Sequence, residues 1–166
     1  MAFNRDQFKD LITRVITEQK LYSKAAINLL LGTAAVESNF GTYFRQIGGG
    51  PGRGPFQMEA YKPDDSKIRD EQDIWVNYLC YNRRSKQAAV YKISGIRSYD
   101  NNGALEGNFF YAICMARLHY RRIPFPFPDP DNIEALGYYW DIHYNRNPDK
   151  GTVAQFIEKY NKYVRV

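Results

Sequence analysis

A mainly α-helical fold is predicted by three features of the sequence: apolar residues recurring at helical spacing, capping side chains ahead of those runs, and no convincing series of alternating strands. At 166 residues the chain can bury a continuous core without a metal or disulfide, so a single domain over residues 1–166 is expected. Its 44% hydrophobic and 25% charged content is ordinary for a folded globular chain.

Phe8, Leu11, Ile12, Val15 and Ile16 share one face of residues 5–20, which predicts a first amphipathic helix. Ser23 caps a second, over residues 24–38; it is apolar on nearly every side and therefore buried, with Glu37 at its C-terminal end. GTYFRQIGGGPGRGP at 41–55 holds six glycines and two prolines, a composition for an irregular loop or short β-hairpin. Pro63, Asp64 and Asp65 suit a helix start, with Ile74, Trp75, Tyr78 and Leu79 on the core face of that helix.

YDNNG at 99–103 reads as a turn, and Asn108 caps a helix bearing Ile113, Ala116 and Tyr120. IPFPFPDP at 123–130 forms a stiff connection, because alternate prolines remove backbone donors and restrict the residues before them. Asp131 with Glu134, and Thr152 with Gln155, are capping-box patterns for the last two helices.

The longest apolar stretch, residues 25–36, is interrupted by Asn28, Gly32 and Thr33 and is too short to span a bilayer. It follows an amphipathic segment and so makes a poor export signal, which implies that any substrate outside the cytoplasm is reached by other means. Cys80 and Cys114 lack the paired spacings of a disulfide framework or zinc site and are expected as reduced thiols packed in helices. No metal or cofactor is expected.

The net charge of +5 favours an anionic partner: a cell-wall polymer, a lipid surface such as an outer membrane, or nucleic acid. The glycine-rich loop matches no nucleotide-binding fingerprint. Cys114 and His119, five apart on a helix, do not share a face as nucleophile and base would need to. Fourteen tyrosines and ten phenylalanines could stack on single-stranded nucleic acid, but most fall at core-facing positions, so no nucleic acid is expected. Tyr138, Tyr139 and Trp140 are equally suited to a sugar cleft.

Glu37 is the strongest candidate for chemistry. A carboxyl group at the end of a buried helix is desolvated and lies near the negative end of the helix dipole, and both effects favour the neutral acid. Such a group can give a proton to a leaving oxygen, as a glycosidase acid in an apolar pocket does.

AVESNFG at 35–41, followed by GRGPFQM at 52–58, resembles the paired motifs of the lytic transglycosylase and goose-type lysozyme superfamily. There a Glu-Ser pair ends a core helix and a Gly-x-x-Gln-(Met/Ile) segment follows a short loop; here the pairs are Glu37-Ser38 and Gly54-Pro55-Phe56-Gln57-Met58. NFFYAICMARLHY at 108–120 is similar to the family's asparagine-led helix behind the cleft. Residues 138–157 look like the C-terminal segment of small phage members, with Tyr144-Asn145 as the Tyr-Asn pair. The usual Ala-Tyr-Asn-x-Gly is here His143-Tyr144-Asn145-Arg146-Asn147, and Tyr81-Asn82 is a competing pair.

The resemblance implies a lysozyme-like domain with a short irregular or hairpin segment after the catalytic helix. It implies an enzyme that cleaves the β-1,4 bond between N-acetylmuramic acid and N-acetylglucosamine in peptidoglycan, leaving 1,6-anhydro ends; a monomer is the default expectation. Glu37 would act as general acid and then base, and Ser38, Gln57, Met58, Tyr144 and Asn145 would contact substrate. By the same likeness it is a phage endolysin, made in the host cytoplasm and reaching the periplasmic wall by holin-type release or in the virion. The alternative is a hydrolytic muramidase in which Glu59, Asp64 or Asp65 holds the attacking water. A non-enzymatic wall- or nucleic-acid-binding virion protein is the third class.

Overall fold

A computed structural model describes every residue except 82, 101, 102, 146, 148, 150 and 166. The Tyr81-Asn82 pair, the 99–103 turn and the Arg146 position of the Tyr-Asn segment therefore lie partly outside the described residues. Among those described, the chain is mainly α-helical, with eight helices and one small hairpin.

Asn4 accepts the Gln7 N–H and starts α1 (Arg5–Glu18), which buries Phe8, Ile12, Val15 and Ile16 as their spacing predicts. Ser23 caps α2 (Lys24–Ser38), whose residues from Ala25 to Ala35 are buried except Asn28. The hairpin pairs β1 (Gly52–Arg53) antiparallel with β2 (Met58–Glu59), setting Gly52 opposite Glu59 and Arg53 opposite Met58.

The next helix begins later than Pro63 suggests. Asp65 accepts the Lys67 N–H at 2.9 Å and pairs with Arg69, so local side-chain bonds hold residues 63–69 out of the helix. α3 (Asp70–Asp73) then passes directly into a π-helical segment, Ile74–Leu79, that buries Ile74, Trp75 and Leu79. Cys80, at its end, is exposed rather than packed, whereas Cys114 is buried and its thiol is pushed up by desolvation.

Sequence reading assigned no helix to α4 (Arg84–Ser94), which buries only Val90 and ends on Gly95 at φ +79°. The short α5 (Ala104–Gly107) leads into α6 (Phe109–Arg121), capped by Asn108 and buried almost throughout. α7 (Ile133–His143) is capped by Asn132, not Asp131: Asn132 accepts the Ala135 N–H at 3.0 Å, while the Asp131 carboxylate is turned away to Lys24 at 2.8 Å. α8 (Val153–Tyr163) carries the full Thr152–Gln155 capping box.

The buried side chains form one contiguous cluster, with α2 at its centre packed against α1, α6, α7 and α8. The contact of α2 with α8 is built on missing atoms. Phe156 of α8 lies over Gly32 of α2 and beside Gly137 of α7, and a Cβ on Gly32 would fall 2.2 Å from the Phe156 ring. Gly32 thus forms a notch that admits an aromatic ring.

Glu71 of α3 is a fully buried carboxyl within this core. Burial pushes its pKa up to about 7; the Asp100 N–H donating to Oε1, then the neighbouring Tyr111 hydroxyl, pull it back only in part. Folding therefore favours the neutral acid. The stability this group contributes is fully present below its unfolded value of 4.5 and is lost as pH rises through about 7. Glu71→Gln keeps an acceptor for the Asp100 N–H without the charge. The variant is expected to match the wild type near pH 4.5 and to exceed it by about 3 kcal/mol above pH 7. Thermal melts across that window test this, and parallel curves for the two proteins would refute it.

Candidate active site

Glu37 is the penultimate residue of α2, half-buried where the helix stops. The stop is abrupt because Asn39, Phe40 and Gly41 all take positive φ, at +49°, +57° and +75°. Left-handed geometry costs an aromatic residue energy, and Phe40 offsets it by burying its ring against Phe8 and Tyr163. The chain thereby turns sharply away and leaves the Glu37 carboxyl at the edge of a cleft.

Trp140 of α7 donates its indole N–H to Glu37 Oε1 at 3.1 Å, and the Tyr43 hydroxyl donates to the Glu37 backbone carbonyl at 2.8 Å. Desolvation, and then the Glu37 charge, raise the Tyr43 phenol above its ordinary pKa. Trp140 is itself buried and packs on Phe156, so the acid is steered by a side chain anchored in the core.

The Gly54–Met58 turn is fastened to the helices on both sides. Ser38 Oγ donates to the Pro55 carbonyl at 2.7 Å and accepts the Gly41 N–H at 2.8 Å, while the Tyr144 hydroxyl donates to the Phe56 carbonyl at 2.7 Å. Gly54 sits at φ +73°, and a Cβ there would fall 1.9 Å from the Leu105 carbonyl oxygen, so no other residue fits. Gln57, at φ +47°, donates its amide to the Gly54 carbonyl at 2.8 Å and faces the cleft.

The resulting cleft holds about 500 Å³ and is lined by Glu37, Tyr43, Gln46, Gln57, Glu59, Asp70, Tyr144 and Asn145, among others. Four sequence candidates therefore share it: Glu37, Gln57, Tyr144 and Asn145. The Tyr144 phenol lies near Glu37 and Asp70, and its pKa is raised well above the ordinary value, chiefly by burial and then by Glu37. Asn145 gives its amide N–H groups to Asp141 and Gly151, each at 3.0 Å, which leaves its carbonyl for the cleft.

Two expected substrate contacts are corrected. Ser38 is fully buried, with its hydroxyl bonded to protein on all sides, so it holds the cleft backbone and does not reach a ligand. Met58 is 1% exposed and packs in the core beneath the hairpin, because its strand register turns it inward. Of the three acids expected near a water, Glu59 lines the cleft and is ion-paired to Arg69 at 3.0 Å, while Asp64 and Asp65 do not line it.

Sequence reading missed Asp70, Tyr43 and the link from Trp140 to Glu37. Asp70 lines the cleft and accepts the Glu59 N–H at 3.2 Å. Its only signal was its place in an acidic first turn, DEQD, which reads as ordinary helix chemistry. Among the described residues, no group of three or more His, Cys, Asp or Glu is placed to hold a metal ion, and no helix is long and apolar enough to cross a membrane. No protein-family model, curated protein or solved structure matches the chain.

Proposed function

We propose that this protein is a lysozyme-like enzyme that cleaves the glycan strands of peptidoglycan, and that Glu37 is its general acid and base. The observation that carries the proposal is the convergence in one cleft of Glu37, Gln57 and Tyr144, from three distant segments. Gln57 lines the cleft with an amide that can both donate and accept, suited to an N-acetyl group or a sugar hydroxyl.

In the proposed reaction Glu37 protonates the glycosidic oxygen and the C1–O4 bond breaks. The muramyl C6 hydroxyl closes on C1 and gives its proton to Glu37, which leaves a 1,6-anhydro ring and restores the acid. Water is not consumed, and a second carboxylate is not required. The biological role proposed is that of a phage endolysin that lyses the host cell.

A second reading, hydrolysis, is favoured by one observation: Glu59 and Asp70 line the same cleft as Glu37. A carboxylate there can activate water for attack at C1, as in two-acid glycosidases. Mass spectrometry of the fragments released from purified sacculi separates the readings. Anhydro ends are expected; reducing ends would replace the transglycosylase with a hydrolase, and intact sacculi would remove both.

A further inference from the structure

Away from the cleft, α4 and α6 pack together and bring four cations to one face. Arg117 and Arg121 lie one turn apart on α6, Lys86 lies in the first turn of α4, and Arg83 is that helix's N-cap residue and makes no side-chain capping bond. Lys86 is held below its ordinary pKa by burial and then by the nearby charges of Arg121, Arg83 and Arg117. Among the described residues none of the four is ion-paired to a carboxylate.

Arg117 is the least expected of them. Only 5% exposed, it donates to the Leu21 carbonyl at 3.0 Å, yet one terminal nitrogen has no hydrogen-bond partner among the described residues. Desolvation, then Arg121, hold its guanidinium down at about 10. A buried cation among like charges destabilises the fold unless an anion approaches.

The cations adjoin an exposed apolar patch. The Arg117 guanidinium lies 5.1 Å over the Phe127 ring and close to Tyr139, whose hydroxyl donates to the Phe125 carbonyl at 3.1 Å. Phe125 stacks on His143 with ring centroids 5.7 Å apart, and is 61% exposed. Ile142 and Tyr138, one turn apart on α7, are 69% and 52% exposed, with Glu134 a further turn away.

We propose that this face is a docking surface for an anionic phospholipid membrane, with Lys86 and Arg121 meeting lipid phosphates and Phe125 and Ile142 entering the interface. A soluble polyanion would use the cations and at most stack on the aromatic rings, which leaves the aliphatic Ile142 without a role. A bilayer uses both halves, because lipid phosphates sit directly above a layer that accepts aromatic and aliphatic side chains. The proposal is independent of the cleavage chemistry, since none of these residues lines the cleft.

The test is co-sedimentation of the full chain with phosphatidylglycerol-containing vesicles and with pure phosphatidylcholine vesicles, at low and high salt. Binding is expected to the anionic vesicles. The Lys86→Glu/Arg121→Glu variant is expected to lose at least about tenfold in affinity. The Phe125→Ser/Ile142→Ser variant should bind at low salt and be released at high salt. Arg121→Gln, at an exposed position, provides a milder charge variant should the double reversal fail to fold. All are expected to cleave sacculi as the wild type does. Equal binding to both vesicle types, or undiminished binding by the charge-reversed protein, overturns the proposal. So does stabilisation by inorganic phosphate, or binding of an oligonucleotide, without binding to anionic vesicles.

Discussion

Glu37→Gln is expected to reduce glycan cleavage about a thousandfold while leaving the melting temperature unchanged. General acid–base transfer by one positioned side chain accounts for about 10²–10⁴ in rate, and in the proposed reaction Glu37 performs both transfers. The amide is nearly isosteric, and its oxygen can still accept the Trp140 indole N–H that now reaches Oε1 at 3.1 Å. Packing and orientation therefore persist, so a loss of activity reports the missing proton and not a disturbed fold. Assays on purified sacculi with matched protein concentrations provide the measurement. Undiminished release by the variant would take Glu37 out of the mechanism and leave Asp70 or Glu59 as the acid to test next.

Phe156→Ala is expected to cost about 3–5 kcal/mol, enough to lower the melting temperature by about 10 °C. The ring is fully buried between Gly32 and Gly137, two positions without side chains that could swing in to fill the space. The cavity would open beneath Trp140, whose ring centroid is 5.6 Å from that of Phe156 and whose indole holds Glu37. Activity measured well below the melting point should therefore fall as well, because the acid loses its anchored donor. A calorimetric scan with Phe156→Leu as a partly filled control tests the packing argument. An unchanged transition in the alanine variant would mean that α8 collapses onto the glycine notch.

Features governed by near neighbours in sequence were legible without coordinates. Asn108 and Thr152 cap the helices assigned to them, Ser23 starts α2, and Glu37 lies in its last turn, because capping and helical periodicity act over three or four residues. The glycines and prolines of 41–55 marked an irregular loop or a short hairpin without deciding between them, and the second strand, Met58–Glu59, lies beyond that stretch. α4 buries one side chain and so carries almost no periodic signal in the sequence. Gly32 read as an interruption of an apolar run, and only the approach of Phe156, far along the chain, gives it a purpose. The same limit explains Ser38 and Met58: their motif marks the turn, but which of its side chains face inward is decided by α7 and the hairpin register.

Both tryptophans are hydrogen-bonded within acid-bearing networks. Trp140 donates to Glu37, and Trp75 donates at 2.9 Å to the hydroxyl of Tyr111, which adjoins Glu71. Each indole is thus a built-in optical reporter. With one tryptophan replaced by phenylalanine at a time, the emission of the other follows the charge on its own carboxyl across a pH titration. The acid of the cleft and the acid of the core can then be read separately in the free protein, without substrate and without isotopic labelling.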